Sequence, residues 1–414
     1  MSDYWREFRT EWRAVTSAAI GLGFGLMMMS YSISIMGPHL IKEFGWPKAD
    51  LVKVQMLSLI SVLAYPLVGR LADVFSARRT ALIGVIAAPV LFFALSRIDD
   101  LTSYAVLYVA QSVILAATTP PVYCRVVVER FRLARGLALA IAVAGPSLIA
   151  AVGGPLLNSL VVDYGWRTGY VALAIGSAIG GGVAIALMPA GQKRVAGEAR
   201  PAATRGDYGL ILRHPAFWLL NGAVLFCTMP MAILLTQMGL IVGEHGVVDK
   251  TVSIIVSAYA IGMMAGRLAS GFALDKFPAP LVASATLALS AMGLMIISQH
   301  GVPIAVLAGA VMVVGLSFGA ESDIVGYLIS RIFPIRAYST VFGFIAANTT
   351  IAAFIGAGLM ALLLDKYDSY SPFVMVAGIS VALGSLLFLL LPRPKPGHAH
   401  DEVPAEAAEA PTAA

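Results

Sequence analysis

Apolar and polar positions along this chain fall into long blocks, not the short alternation of a soluble helix or strand. A bilayer-crossing helix needs about 20 mostly apolar residues. Twelve such runs occur, at 15–39, 51–69, 80–98, 102–126, 136–161, 167–189, 216–242, 251–271, 281–299, 302–328, 339–363 and 370–391. Most connections between them are short. The exception, 191–213, is polar and holds Lys193, Arg194, Arg200, Arg205 and Arg213. The pattern predicts an all-α membrane protein with twelve transmembrane helices in two six-helix bundles. The bundles are expected at 1–190 and 214–391, with a cytoplasmic linker at 191–213. The tail 392–414 is rich in Pro, Ala and Glu, carries no apolar face and is expected to be disordered.

Composition supports this. Hydrophobic residues make up 59% and charged residues 12% of the 414. A soluble chain has roughly 45–50% apolar and about 25% charged residues, so neither a set of soluble domains nor a disordered chain fits. The placement of charge sets the orientation. With the N-terminus inside, 19 of the 28 basic residues fall on inner segments and 7 on outer ones. That excess predicts both termini in the cytoplasm. Trp5, Trp12, Trp46, Trp166 and Trp218 lie near run ends, as an interfacial belt requires. Residues 1–13 are charged, and no cleavable signal peptide is expected. Cys124 and Cys227 sit inside apolar runs, so no disulfide and no thiolate metal site is expected.

The two halves repeat at an offset of 202 residues. Gly69, Asp73 and Phe75 map onto Gly271, Asp275 and Phe277; Phe131 maps onto Phe333 and Asp163 onto Asp365. Repeated six-helix halves imply a pseudo-two-fold axis along the membrane normal and a substrate site between the halves near mid-bilayer.

The segment Gly69-Arg-Leu-Ala-Asp-Val-Phe-Ser-Ala-Arg-Arg79 resembles the loop between helices 2 and 3 of the major facilitator superfamily. It departs from that motif at Val74, Ser76 and Ala77. Gly145-Pro146 and Gly153-Gly154-Pro155 resemble the Gly-Pro pattern of helix 5. The resemblance covers the chain to about Pro392 and implies the major facilitator fold. Within the family, Gly266-Arg-Leu-Ala-Ser-Gly-Phe-Ala-Leu-Asp-Lys-Phe277 is similar to helix 8 of the monocarboxylate and oxalate transporter branch. His214–Trp218, Arg130-Phe131 and Arg135–Ala138 are similar to that branch too. There, an arginine four residues before the motif glycine binds the substrate carboxylate; the matching residue is Arg267. Two positions depart. Met263 stands where mammalian members carry an aspartate. Helix 11 offers Asn348, Thr349 and Thr350 where the oxalate carrier has a lysine.

Arg267 is the sharpest candidate on physical grounds as well. A charge at the centre of a spanning helix costs about 2.5–3.5 kcal/mol on insertion scales, so it normally faces a cavity or a partner. Its planar fork matches a carboxylate with two parallel bonds. A structural role, paired with Asp275 or Glu321, is the alternative. Glu321 and Asp323 are the acids within the runs and the candidates for proton coupling. At 100° per residue they point about 200° apart. Charge pairing with Arg331 or Arg125 is the other reading of both acids, of Asp323 above all. Asp73, Arg78 and Arg79, with Gly69 and Asp275, read as a conformational latch, and Arg125 as a topological anchor. Tyr31, Tyr123, Asn221, Gln237 and Asn348 can line the cavity, although such residues often serve as interhelical hydrogen bonds.

No Gly-Lys-Ser/Thr phosphate loop appears, so no ATP motor is expected. No ligand spacing suggests a metal, no cofactor is implied, and neither an enzyme nor a nucleic-acid partner fits. These readings predict a proton-coupled secondary transporter of a small organic monoanion, a monocarboxylate. It would be a monomer working by alternating access in a bacterial-type inner membrane. The alternatives are an exporter of amphipathic or drug-like compounds, suggested by Met27, Met28, Met29 and Met36, and a sensor that binds a ligand without moving it.

Overall fold

The computed structural model describes residues 2–189, 209, 211–247 and 249–392. The linker, apart from a few residues at its end, and the tail beyond Pro392 lie outside them. Every regular element among the described residues is helical. Among the described residues, eleven stretches are long and apolar enough to cross a membrane. The expected seventh run is the twelfth span, divided into Pro215–Thr228 and Met231–Gly243. Pro230 lacks the N–H that would continue the helix, and Met229–Pro230 forms the joint.

The pseudo-symmetric partner, span 1, is divided as well, into Ser2–Gly23 and Met27–Phe44. Its helix starts at Ser2, well before the expected 15, because the charged opening continues as an amphipathic extension. Span 4 divides into Leu101–Ile114, a 3-10 turn at Leu115–Thr118, and Pro120–Arg130. The breaks in spans 1 and 4 meet. The Thr118 hydroxyl accepts the freed N–H of Leu26 at 2.9 Å and donates to Leu115 O at 2.6 Å. A break inside hydrocarbon persists only where freed backbone groups find such partners. Span 2 runs Lys48–Met56, a 3-10 turn at Leu57–Ile60, then Ser61–Val74.

The remaining spans are single helices: Ala77–Leu95, Arg135–Tyr164 and Trp166–Leu187 in the first half, with Asp249–Lys276, Ala279–Ile297, Ile304–Ile332, Tyr338–Tyr367 and Ser371–Leu389 in the second. They are spans 3, 5, 6 and 8 to 12. Spans 4 and 10 end alike: Phe131 and Phe333 are extended C-caps at ψ 135° and 151°, as the 202-residue offset implies.

The halves meet at the end that carries Arg125, Arg135 and Arg331, the basic end. There a Cβ on Gly69 would run into the main chain of Ser339, and one on Gly271 into that of Gly136 and Leu137. Spans 2 and 11, and spans 5 and 8, touch backbone to backbone because these positions are small. The tryptophan belt holds in part. Trp5, Trp12 and Trp218 are exposed, but Trp166 is buried, with its indole N–H on Glu43, and Trp46 stacks on Phe44.

Candidate functional site

Arg267 lies on span 8, one turn before Gly271. A Cβ on Gly266 would strike the main chain of Leu316, and one on Gly319 that of Met263, so spans 8 and 10 lie in close contact. That contact delivers the guanidinium to Gly319 O, which accepts from Nε at 3.0 Å. A second guanidinium nitrogen donates to Val143 O, on span 5 of the other half. Arg267 therefore bridges the halves, just inside the closed basic end. Its nearest acid is Asp323, 3.7 Å from Nε. Asp323 is 1% exposed, and neither carboxylate oxygen has a hydrogen-bond partner. The structural alternative for Arg267 named Asp275 or Glu321 as partner; the pairing found is with Asp323.

Glu321 points away, as its angle to Asp323 requires. It accepts the Thr228 hydroxyl of span 7, one residue before the Met229–Pro230 joint, and its second oxygen has no partner. The pairing weighed for it with Arg331 or Arg125 does not form. Arg331 reaches the Tyr327 hydroxyl at 2.8 Å, and Arg125 binds Asp73 and, at 2.8 Å, Glu129.

The latch residues separate. Asp73 accepts N–H groups of Ser339 at 3.1 Å and Thr340 at 2.7 Å, and the Thr340 hydroxyl at 2.6 Å, all at the start of span 11. Asp275 accepts N–H groups of Gly136 at 2.6 Å and Leu137 at 3.1 Å, at the start of span 5. Each carboxylate sits where a helix of the opposite half presents free donors and the positive end of its dipole. Arg78 and Arg79 are exposed. The cation that answers Asp73 is Arg125, first read as a topological anchor.

The other candidates do not converge on Arg267. Asn348 donates to Asn221 O at 2.7 Å, and Asn221 to Phe217 O at 2.9 Å. Gln237 receives the Tyr370 hydroxyl at 3.5 Å. These are contacts within the second half. Tyr123 is fully buried against Gly21, with an unpartnered hydroxyl. The side chain of Tyr31 lies outside the described residues. The methionines scatter: Met28 lines an apolar groove of about 360 Å³, Met29 lines a smaller cleft, and Met36 is core.

Three features were missed. Tyr4 donates to Asp275 at 2.9 Å, and Glu7 accepts the N–H groups of Arg132, Leu133 and Ala134 at 2.7–3.0 Å. Arg135, 3% exposed, donates to Phe131 O, Val128 O and, across the halves, the Ser330 hydroxyl at 3.2 Å. A cleft of about 180 Å³ opens between spans 1, 2, 4 and 11. Its repeated serines were visible in the sequence; the Tyr4 contact, spanning 271 positions, had no local signal.

A family model described as Major Facilitator Superfamily matches residues 18–247 and 229–413. Mouse monocarboxylate transporter 11 is 24% identical, covering 92% of this chain and 87% of the relative. Among solved structures, FucP in the outward conformation superposes with a TM-score of 0.70 at 12% identity, covering 92% of this chain and 98% of that one. The proton:xylose symporter XylE superposes with a TM-score of 0.70 at 13% identity, covering 92% and 95%.

Proposed function

The chain belongs to the Major Facilitator Superfamily, a family of transporters, and we propose that it is a proton-coupled carrier of a small organic monoanion, a monocarboxylate, working by alternating access. The observation that carries this reading is Arg267. It is a cation inside a bilayer-spanning helix, held by main-chain carbonyls of both halves, and the one acid near it makes no hydrogen bond to it. The carbonyls are neutral and Asp323, at 3.7 Å, forms an ion pair without a hydrogen bond, so a carboxylate arriving at the guanidinium competes with Asp323 for a charge-assisted pair. The likeness to a monocarboxylate transporter supports the same class of cargo.

Alternating access follows from where the halves are tied. Asp73, Asp275 and Arg135 hold the basic end closed through bonds that a rocking motion of one half can break and remake. Arg267 shares in that closure through Val143 O, so an anion that draws the guanidinium away weakens it. A proton bound at Glu321 or Asp323 would make transport of a monoanion electroneutral. The excess of basic residues at this end favours both termini in the cytoplasm of a bacterial-type inner membrane, with the chain acting as a monomer.

A second reading, export of amphipathic compounds, draws on the apolar groove beside Met28 and Phe24. Uptake of radiolabelled acids into liposomes containing the purified protein separates the readings. Accumulation of a monocarboxylate driven by an inward proton gradient is the expected result. Binding without accumulation would make the protein a sensor, and transport of lipophilic cations alone would make it an exporter.

A further inference from the structure

The cleft between spans 1, 2, 4 and 11 offers hydroxyl groups where a monocarboxylate site needs only one cation. Span 2 contributes Ser58, Ser61 and Tyr65, span 4 contributes Tyr108 and Ser112, span 1 contributes Ser30, and span 11 contributes Thr350. The other lining residues are apolar, and none is charged. We propose that this cleft binds the hydroxyl groups of the cargo, and that the cargo is a polyhydroxylated monocarboxylate of the sugar-acid class. The inference rests on the carboxylate reading of Arg267 and adds to it the chemistry of the rest of the molecule.

Local structure gathers these groups. Ser58 lies in the 3-10 turn Leu57–Ile60, and Ser61 follows it three residues later. In a 3-10 turn, side chains at i and i+3 eclipse, so the two hydroxyls stack on one face, with Tyr65 one α-helical turn beyond. Tyr108 and Ser112 are likewise one turn apart on span 4. A lone serine in a membrane helix usually satisfies itself within the bundle. Here seven hydroxyl side chains from four spans line one void; Tyr65 is bonded to Ser61 and Tyr108 to Ser58, and each keeps further hydrogen-bonding capacity toward the cleft.

Their hydrogen-bond polarity favours ligand hydroxyls over a second carboxylate. Ser112 donates to Tyr108 O at 2.9 Å, and Thr350 to Ala346 O at 3.2 Å. With those protons committed, the Ser112 and Thr350 oxygens are left as acceptors. A carboxylate offers acceptors nothing; an O–H group does.

Depth and size agree. Tyr65 occupies the position of Arg267 in the 202-residue repeat, so the cleft begins at the depth of the guanidinium. The main chain of Tyr65 and Pro66 touches Gly343. Thr350 is seven residues further along span 11, about 10 Å at 1.5 Å per residue. The cleft therefore extends from the depth of the guanidinium away from the closed end. The volume of about 180 Å³ holds roughly six water-sized groups and is below the roughly 300–1,000 Å³ of a drug-sized site.

The test is calorimetry on the full-length protein in detergent with D-gluconate, hexanoate and D-glucitol. Two or more bonds between cleft hydroxyls and the ligand should make gluconate bind about fivefold to a hundredfold tighter than hexanoate. Ser61→Ala with Thr350→Val should shrink that ratio to about threefold or less, whereas Thr350→Ser alone should preserve it. If gluconate and hexanoate bind alike and Arg267→Ala weakens both, the cleft proposal is overturned while the carboxylate reading stands. If glucitol binds as tightly as gluconate and Arg267→Ala changes neither, the carboxylate reading falls, and the sugar-acid proposal with it. Failure of gluconate to bind while hexanoate binds also overturns the proposal.

Discussion

The carboxylate of Asp275 on span 8 accepts the main-chain N–H of Gly136 on span 5 at 2.6 Å, across the boundary between the halves. Asp73 does the same from the other side, on Thr340 at 2.7 Å. The repeat thus places one acid per half at the start of a helix in the opposite half. Both bonds cross between the halves, so any motion that parts the basic end must break them.

Asp73→Asn should therefore change rates more than affinity. The amide keeps an acceptor but loses the charge that answers Arg125 and the start of span 11. Loss of a side-chain cap costs about 0.5–2 kcal/mol, so the closed state should fall in population by several-fold. Uptake and binding measured on the same preparation give the answer. Slower uptake at unchanged affinity is expected, and equal loss of both would place Asp73 in the substrate site.

The N-terminal extension adds a strap to this closure. Tyr4 donates to Asp275 of the second half, while Glu7 caps residues 132–134 of the first, with Phe8 against Phe131 at 5.2 Å. Tyr4→Phe removes one bond to a charged group, worth roughly 1.5–3 kcal/mol when buried and about 1 kcal/mol at this partly exposed site. The balance should move about fivefold toward opening of the basic end. Spin labels on Arg78→Cys and Phe277→Cys report it, since both positions are exposed and both native cysteines are buried. An unchanged distance distribution would show that the strap carries no weight in the equilibrium.

Spacing made much of this legible beforehand. The offset of 202 anticipated the matched pair Asp73 and Asp275, and the 100° rule anticipated that Glu321 and Asp323 face apart. Side-chain reasoning failed where the partner is main chain. Nothing in residue identities says that Arg267 would donate to Gly319 O and Val143 O, because every residue has a carbonyl and only packing chooses one. It failed again where polarity at mid-helix served the bundle: Asn348 and Asn221 bond within their own half. Span 7 appeared as one run because hydropathy does not register the missing N–H of Pro230.

Gly319 shows how packing sets the site. A methyl group there would press on the main chain of Met263, part of the span 8 turn that precedes Arg267. Overpacking of this kind typically costs about 1–3 kcal/mol. Gly319→Ala should lower the Tm of the purified protein and weaken anion binding by displacing the guanidinium from its carbonyls. Wild-type Tm and affinity in this variant would mean that spans 8 and 10 adjust without moving Arg267.

Proton coupling can be assigned by substitution. Glu321 is fixed by Thr228 beside the span 7 joint, whereas Asp323 faces Arg267. Glu321→Gln keeps a hydrogen-bonding group but cannot cycle a proton, and it should weaken the acceleration of uptake by an inward proton gradient. Asp323→Asn gives the comparison, because it also removes the negative charge beside Arg267. If both variants accumulate substrate against its gradient as the wild type does, the proton travels with the substrate or at another group.

Arg267 carries the heaviest test. If it binds a carboxylate through a two-point fork, Arg267→Lys should not restore function although it keeps the charge, because an ammonium is a point charge on a flexible stem. The lysine would also lose the planar geometry that reaches Gly319 O and Val143 O together. A hydrogen bond to a charged group contributes roughly 1.5–3 kcal/mol, which is one to two powers of ten in affinity. Arg267→Ala should lose at least that much while circular dichroism and detergent elution stay unchanged. Asp323→Asn serves as the counterweight: it removes the neighbouring negative charge and should tighten anion binding. Calorimetry with a monocarboxylate across the wild type and these three variants decides the matter. If all four bind alike, the guanidinium is a structural bridge between the halves, and export of amphipathic compounds becomes the better account of the protein.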